Sequence, residues 1–233
     1  MLTISVAGLS IALDNKYEEV ARISQDFLTD EPPLFSVCAS DEELAAELAL
    51  GTGAPPETCE SIVLYRKIAQ RLSDYDALVF HSAVIAKDGK AYAITARSGV
   101  GKTTHLRLWQ QVFGDSVYIL NGDKPIIRMI DGVPYASGTP WRGKEGYGRA
   151  GMLPLCGIAF LRRAEKNSAV AITPEEALND FLAQIYIPKH LGAVRTLALA
   201  DSLLAGVPLI RLFANMEKDA PEVALAAFEN YKK

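Results

Sequence analysis

The sequence predicts an α/β fold in which a mixed, largely antiparallel sheet carries a glycine-rich loop. Three observations support this fold class. Strand-like apolar runs alternate along the chain with segments of helical periodicity. Asp88-Gly89 separates two strand-like runs, and this dipeptide is a strong signal for a β-hairpin turn. The second arm of that hairpin leads directly into the glycine-rich segment 96–101, and a helical pattern follows it.

Residues 1–76 are predicted to form a small N-terminal α+β lobe. Ser40 is a candidate helix N-cap, because Glu43 follows three residues later and completes a capping box. We place the end of the lobe near residue 76. Its predicted elements are, in chain order, one or two strands in 1–13 with a turn at Gly8, a helix in 16–28, a strand in 34–40, an acidic helix in 41–50 and an amphipathic helix in 59–73.

Residues 77–233 are predicted to form a second domain around the glycine-rich loop. Asp131-Gly132 indicates a second hairpin, and Thr173 followed by Pro174 indicates a helix start. The predicted elements are strands in 77–86 and 91–96, a helix ending at Gly114, strand-like runs on both sides of 121–125, a strand in 133–138, a loop in 138–151, a strand in 155–163, a helix in 173–186, two weaker apolar segments and a helix in 219–230.

The charge balance argues against general nucleic-acid binding. The chain has 233 residues, of which 49% are hydrophobic and 22% charged, with a formal net charge of -4. Neutralising phosphates dominates nucleic-acid affinity, and this requires clustered cations. The tightest basic groups are only the pairs Arg162-Arg163 and Lys232-Lys233, which we interpret as solvated surface.

Cysteine usage and hydropathy predict a cytoplasmic protein without a membrane partner. Cys38, Cys59 and Cys156 are odd in number and far apart, which disfavours a disulfide framework or a structural zinc site. Buried thiols in a reducing compartment are the simpler interpretation. The apolar opening stops at Asp14, which is too soon to span a bilayer, and no basic leader precedes it.

The segment from Ala96 to Thr103 matches the Walker A pattern, with Ala at the first glycine position. Glycines in the loop let successive backbone amides converge on phosphate oxygens, and the following helix directs its positive end at the anion. Lys102 supplies a point charge for the β- and γ-phosphates, and the Thr103 hydroxyl is a ligand for Mg²⁺. The predicted nucleotide-binding residues are Ser98, Gly99, Val100, Gly101, Lys102, Thr103 and Thr104.

Asp123 is a candidate second ligand for Mg²⁺. It follows the apolar run 117–120, about twenty residues after the loop, where a Walker B-like carboxylate is expected. The alternative is a turn-forming Asp at the end of a strand. The loop nearby favours the metal ligand.

The segment 81–104 resembles the catalytic core of HPr kinase/phosphorylase. It is also similar to smaller bacterial kinase-like proteins that are grouped with P-loops of the PEP carboxykinase type. The resemblance covers about residues 78–165. It depends on His81, the turn Asp88-Gly89, the run 98–109, the segment 121–125 and the segment 138–146.

This resemblance implies roles for individual residues. His81 would lie near the transferring phosphate and help to handle protons or charge, and Asp123 would bind Mg²⁺. HPr kinases carry a second Asp, the general base, immediately before that position, but this chain has Gly122. An attacking hydroxyl needs a nearby base. Three alternatives remain: His81 acts as the base, Glu145 reaches the site and acts as the base, or transfer is impaired.

The loop 138–151 combines five glycines with Arg142, Lys144 and Arg149. Phosphoryl transfer spreads negative charge over the equatorial oxygens, so Arg142 and Lys144 are candidate catalytic cations. The alternative is a mobile surface loop. Trp141 either packs over the nucleotide or anchors the loop.

Three functions follow from these residues. The first is an ATP-dependent kinase that uses Mg²⁺ and transfers the γ-phosphate to a hydroxyl of a small molecule, peptide or protein. The second is a nucleotide-binding module with little turnover, motivated by Gly122. The third is a PEP carboxykinase, disfavoured because those enzymes are much longer. Residues 1–76 and 190–233 carry no motif. Two roles are open for them, namely shaping the acceptor site or forming a contact in a homo-oligomer.

Overall fold

The computed structural model describes residues 1–231, and the basic pair Lys232-Lys233 lies outside them. The strands are β1 Leu2–Val6, β2 Leu9–Asp14, β3 Phe35–Cys38, β4 Ala77–Val79, β5 Ala83–Lys87, β6 Lys90–Thr95, β7 Val117–Asn121, β8 Ile126–Ile130, β9 Val133–Ser137, β10 Met152–Arg163, β11 Ser168–Ala171 and β12 Leu209–Ala214. The α-helices are α1 Glu18–Ile23, α2 Asp41–Leu48, α3 Pro56–Arg71, α4 Lys102–Phe113, α5 Pro174–Leu182, α6 Leu191–Gly206 and α7 Ala220–Glu229.

The N-terminal segment contains its own three-stranded sheet in the order β1-β2-β3. β1 and β2 form an antiparallel hairpin, and β3 joins β2 in parallel. Helix α3 packs with this sheet through Leu64 and Ile68, which are fully buried. The same cluster includes Val79 and Trp141, so the apolar core of the N-terminal segment continues into the rest of the chain.

The remaining strands form a nine-stranded mixed sheet. Its main path is β4-β8-β9-β10-β6-β5-β7, and β12 adds to β10 with β11 beside it. β6 is parallel to β10, whereas β5 is antiparallel to both β6 and β7. The ends of β6 and β7 and the start of β5 therefore lie at one edge of the sheet. This edge carries the glycine-rich loop, Asp123 and His81.

Helices cover both faces of the large sheet. Successive side chains of a strand point to opposite faces, and β6 shows the alternation. Its Ala91 and Ala93 belong to the cluster that contains residues of α5 and α6, whereas Tyr92 and Ile94 belong to the cluster that contains residues of α4 and α7. The loop before α4 is thus positioned by a strand that is packed on both sides.

The segment 77–86, predicted as one strand, is divided into β4 and β5. The backbone amides of Phe80, His81 and Ser82 bond to Pro125, Gln184 and Asp123 respectively, at 3.1, 2.7 and 3.1 Å. These partners lie in connecting segments, so the ladder is interrupted there. His81 therefore occupies the interruption rather than a strand. No strand is predicted at β11, which pairs with β12 through long-range contacts.

No helix within residues 1–231 combines the length and the apolar character that crossing a bilayer requires.

Candidate active site

The glycine-rich loop connects β6 to α4 in the strand–loop–helix order that the sequence indicates. Gly99 and Gly101 have φ values of +78° and +128°, which side-chain-bearing residues rarely adopt. Lys102 is the first helical residue, and its Nζ donates to the carbonyl of Ala96 at 3.0 Å. Ala96 is buried, so a small side chain at this position is accommodated in the core.

Arg163 holds the outer backbone of the loop. Its Nε donates to the carbonyl of Val100 at 2.9 Å, and its Nη2 donates to the carbonyl of Gly99. The pair Arg162-Arg163 was predicted to be solvated surface, and Arg163 is indeed exposed, but its guanidinium positions the loop. Sequence patterns could not indicate this contact, because it joins residues more than sixty positions apart.

His81 and Asp123 form a pair at the same edge of the sheet. His81 Nε2 lies 3.2 Å from Asp123 Oδ1, and the two side chains are 34% and 27% exposed, so a ligand can reach both. Burial raises the pKa of Asp123, but the hydrogen bond with His81 and the charges of Lys124 and Lys102 outweigh it, and the pKa lies below its ordinary value. Asp123 is therefore ionised at neutral pH.

Asn121 fixes the backbone on which Asp123 sits. This fully buried side chain accepts hydrogen bonds from the amides of Asp123 and Lys124 at 2.9 and 2.8 Å. Its Nδ2 donates to the hydroxyl of Thr139 at 3.1 Å and so ties the turn to the loop 138–151. No role is predicted for Asn121 from the sequence, although an Asn two residues before a functional Asp suits such a turn.

The loop 138–151 is anchored at several points. The amide of Gly122 donates to the carbonyl of Tyr147 at 2.9 Å. Trp141 donates from Nε1 to the hydroxyl of Ser61 at 2.9 Å and stacks on Tyr65 with ring centroids 4.1 Å apart. Trp141 therefore attaches the loop to helix α3.

Gly122 is matched to this packing. A Cβ at this position would lie 3.2 Å from the carbonyl oxygen of Tyr147 and 3.3 Å from that of Arg142. These separations are tighter than ordinary contacts, so any side chain would require the loop to shift. The glycine at position 122 thus goes together with close packing of the loop 138–151.

One cavity of about 430 Å³ brings the predicted site residues together. Val100 is the exception, because it lines a neighbouring cavity instead. The predicted residues that line the 430 Å³ cavity are His81, Ser98, Gly99, Gly101, Lys102, Thr103, Thr104, Asp123, Arg142 and Lys144.

The charged residues of the loop are oriented differently from one another. The Arg142 guanidinium pairs with Asp26 at 2.5 Å and lies 5.3 Å from the ring centroid of Phe27. Glu145 pairs with Arg107 at 2.8 Å. Lys144 is exposed, and within residues 1–231 its side chain has no hydrogen-bond or ion-pair partner. Of the two candidate catalytic cations, Lys144 is thus free to meet an anion, whereas Arg142 is paired with Asp26.

The donor set suits Mg²⁺ held together with a nucleotide. The cavity presents the Thr103 hydroxyl and the ionised Asp123, and Mg²⁺ is usually bound through one or two carboxylates plus substrate phosphates and waters. Residues 1–231 contain no cluster of three or more His, Cys, Asp or Glu side chains arranged around a metal position. A metal at this site would accordingly depend on phosphate oxygens and waters for its remaining ligands.

Gly143 packs directly on Asp123, and replacing it by Ala is expected to disturb the site. A Cβ at Gly143 would lie 2.8 Å from the Cβ of Asp123, and its φ is +75°. We expect Gly143→Ala to lower the free energy of unfolding by about 1–2 kcal/mol for the left-handed backbone and by about 1–3 kcal/mol more for the overpacking. Urea denaturation measures the sum.

Gly146→Ala is the matched control, because Gly146 has a φ of +67° and a Cβ there meets nothing within 4 Å. It should show the backbone cost alone. Equal losses of stability for the two variants would contradict the contact between Gly143 and Asp123.

Comparison with solved structures shows a weak structural similarity. No protein-family model matches the chain, and no curated protein matches it. The structure of the HPr(Ser) kinase/phosphatase from Coxiella burnetii is similar over 65% of this chain and 88% of that chain, with a TM-score of 0.38 and 11% sequence identity. A similarity this weak supports neither a shared family nor a shared activity.

Proposed function

We propose that the chain is an ATP-dependent phosphotransferase that moves the γ-phosphate to a hydroxyl group with the help of Mg²⁺. The observation that carries this proposal is the single cavity shared by the glycine-rich loop, Asp123 and His81. Phosphoryl transfer requires mainly positioning and electrostatic stabilisation. The cavity brings together an anion-binding loop, the ammonium groups of Lys102 and Lys144, and the ionised carboxylate of Asp123.

The loop and helix α4 account for the binding of the polyphosphate. The N-terminus of a helix attracts anions through unpaired amides and through the helix dipole. Lys102 adds a positive charge at the first helical position. Burial lowers the pKa of Lys102, and the carboxylate of Asp123 partly offsets this effect. The ammonium group is therefore partly desolvated, which strengthens its attraction to phosphate.

A neighbouring cavity of about 380 Å³ suits the nucleoside part of ATP. It shares Gly101 and Thr104 with the phosphate cavity, so a single ligand can occupy both. Its walls include Leu161 and Met216, and Met216 is 78% exposed. Apolar side chains beside an anion site fit a flat base attached to a phosphate tail.

The chemistry of transfer assigns a role to each residue. The acceptor oxygen forms a bond to the γ-phosphorus, the bond from that phosphorus to the bridging oxygen breaks, and ADP leaves. The hydroxyl proton passes to the His81–Asp123 pair. Lys102 and Lys144 stabilise the charge on the phosphoryl oxygens. Mg²⁺, held by Thr103 and Asp123, would neutralise the phosphates.

Titration calorimetry with ATP and Mg²⁺ tests this proposal. We expect a dissociation constant below about 1 mM, the usual upper range for enzyme substrates. ADP release should then rise when hydroxyl compounds are added. The absence of heat with any nucleoside triphosphate would contradict the proposal.

Gly122 favours a second candidate, a nucleotide-binding module without transfer. Position 122 carries no carboxylate that could act as the base of a hydroxyl kinase, and a side chain there would require the loop to shift. The same experiment separates the two functions. A module would bind ATP with Mg²⁺, but its ADP release would not respond to any acceptor.

A further inference from the structure

Besides the 430 and 380 Å³ cavities, a further cavity adjoins the phosphate cavity at the His81–Asp123 pair, and we name it the second cavity. It has a volume of about 440 Å³. His81 and Asp123 are the two residues that line both cavities. A molecule in the second cavity would therefore face a phosphate in the first across the pair that the proposed function assigns to the hydroxyl proton.

Helix α3 forms one wall of the second cavity. Ile62, Tyr65, Arg66 and Ala69 line it, and their spacing of three, four and seven positions places them on one face of the helix. The segment 183–186, which follows α5, forms another wall.

The wall segments are fixed close to His81. The carbonyl of Gln184 accepts a hydrogen bond from the amide of His81 at 2.7 Å, and the amide of Tyr186 donates to Val79 at 3.2 Å. Tyr65 donates its hydroxyl to the carbonyl of Lys124 at 2.7 Å. The cavity is thus built from ordered backbone and packed aromatic side chains.

The charged groups of this cavity are already paired. Arg66 pairs with Glu47 at 2.7 Å, and Lys124 lies 3.6 Å from Asp123, which also faces His81. A charged ligand would have to compete with these pairs, whereas an uncharged one would leave them intact. The apolar and aromatic lining of Ile62, Trp141, Ile185 and Tyr186 suits an apolar body.

We infer that the second cavity binds the phosphoryl acceptor, and that this acceptor is a small uncharged molecule with an apolar body and a free hydroxyl. This inference rests on the proposed function, because the bound molecule is an acceptor only if the chain transfers phosphate. The volume lies within the range of small-molecule sites. Helix α3 of the otherwise unassigned N-terminal segment then determines acceptor specificity.

Indole-3-ethanol is a suitable probe, because it joins an apolar ring to one neutral hydroxyl. Indole-3-acetate has the same ring with a carboxylate, and ethylene glycol has hydroxyls without the ring. We expect the full chain to bind indole-3-ethanol with a dissociation constant of about 1 mM or tighter, given its few heavy atoms. The other two probes should bind at least tenfold more weakly. Ligand-observed NMR without nucleotide measures all three.

Ala183→Trp should fill the cavity and weaken binding of indole-3-ethanol at least tenfold. Ala183 is an exposed lining residue at the C-cap of α5, with φ −69° and ψ −10°. Ala49→Trp is the matched control, because Ala49 is an exposed C-cap of α2 with φ −67° and ψ −13° and lies outside the cavity. Tyr186→Ala, which removes an apolar wall, provides a second variant should Ala183→Trp fail to fold.

The outcomes separate this inference from the proposed function. Equal probe binding by the wild type and both cavity variants, or tighter binding of indole-3-acetate, would overturn the inference. A chain that binds ATP but no indole alcohol, or that transfers phosphate only to a serine peptide, would also overturn it while leaving phosphotransfer intact. Binding of the alcohol without any nucleotide binding would instead refute the proposed function. Formation of indole-ethyl phosphate, detected by ³¹P NMR with ATP and Mg²⁺, would support both.

Discussion

Replacing Lys102 by Ala is expected to weaken the binding of ATP with Mg²⁺ by about 10- to 150-fold, which corresponds to the loss of one charged hydrogen bond worth about 1.5–3 kcal/mol. Lys102 is half-buried at the first position of α4, with its ammonium group at the carbonyl of Ala96. The charge is therefore anchored beside the loop amides. Transfer should fall further than binding, because negative charge on the phosphoryl oxygens is redistributed in the transition state.

Lys166→Ala is the control for the loss of one positive charge, because Lys166 is exposed and lies outside the phosphate cavity. Lys102→Arg tests the geometry, since a planar guanidinium does not reproduce a compact ammonium group. Calorimetry measures affinity, and ADP release measures turnover. If Lys102→Ala and Lys166→Ala bind ATP equally well, the assignment of the loop to phosphate binding is wrong.

Local sequence signals account for many of the turns and helix starts. Asp88-Gly89 has φ values of 50° and 73°, the left-handed pair that a tight hairpin requires. Ser40 forms the predicted capping box with Glu43. Thr173 caps the helix start that Thr173-Pro174 indicates, and it also forms a capping box with Glu176. These features depend on a few neighbouring residues, so composition and spacing are sufficient to indicate them.

Strand boundaries that depend on long-range pairing could not be predicted from the sequence. The division of 77–86 into β4 and β5 is caused by connecting segments that bond to the amides of Phe80 and His81. An apolar run carries no information about partners that lie more than forty positions away. The short β11 is likewise defined by its pairing with β12 rather than by its own composition.

Sequence motifs indicated which residues belong to the candidate site, but not which distant segments surround it. The Walker A pattern and the position of Asp123 after an apolar run indicated side chains that line one cavity. The topology explains why, because β6 and β7 end where β5 begins. No sequence pattern indicates that Arg163 contacts the loop, that Asp26 pairs with Arg142, or that α3 supplies a cavity wall. Each is a contact between distant segments.

Asp123→Asn is expected to reduce Mg²⁺-dependent transfer by about 10²–10³-fold, the range observed when one preorganised electrostatic group is removed from an active site. Asn keeps the size of the side chain and an oxygen that can face His81, but it loses the negative charge that attracts Mg²⁺ and that lies 3.2 Å from His81. Because the pKa of Asp123 lies below its ordinary value, the wild-type carboxylate is charged throughout the neutral range. The defect should therefore not be relieved by raising the pH.

Asp180→Asn is the matched control, because Asp180 is 29% exposed, close to the 27% of Asp123, and pairs with Arg162 at 2.5 Å outside the phosphate cavity. Each variant loses two partly exposed charge contacts, since Asp123 faces His81 and Lys124 and Asp180 faces Arg162 and Arg211. One such contact contributes about 0–1 kcal/mol to stability. Only Asp123→Asn should raise the Mg²⁺ concentration needed for half-maximal transfer, measured at saturating ATP. Equal Mg²⁺ dependence in the two variants would remove Asp123 from the metal site and leave Thr103 as its only protein ligand, a set too small to hold the ion in place.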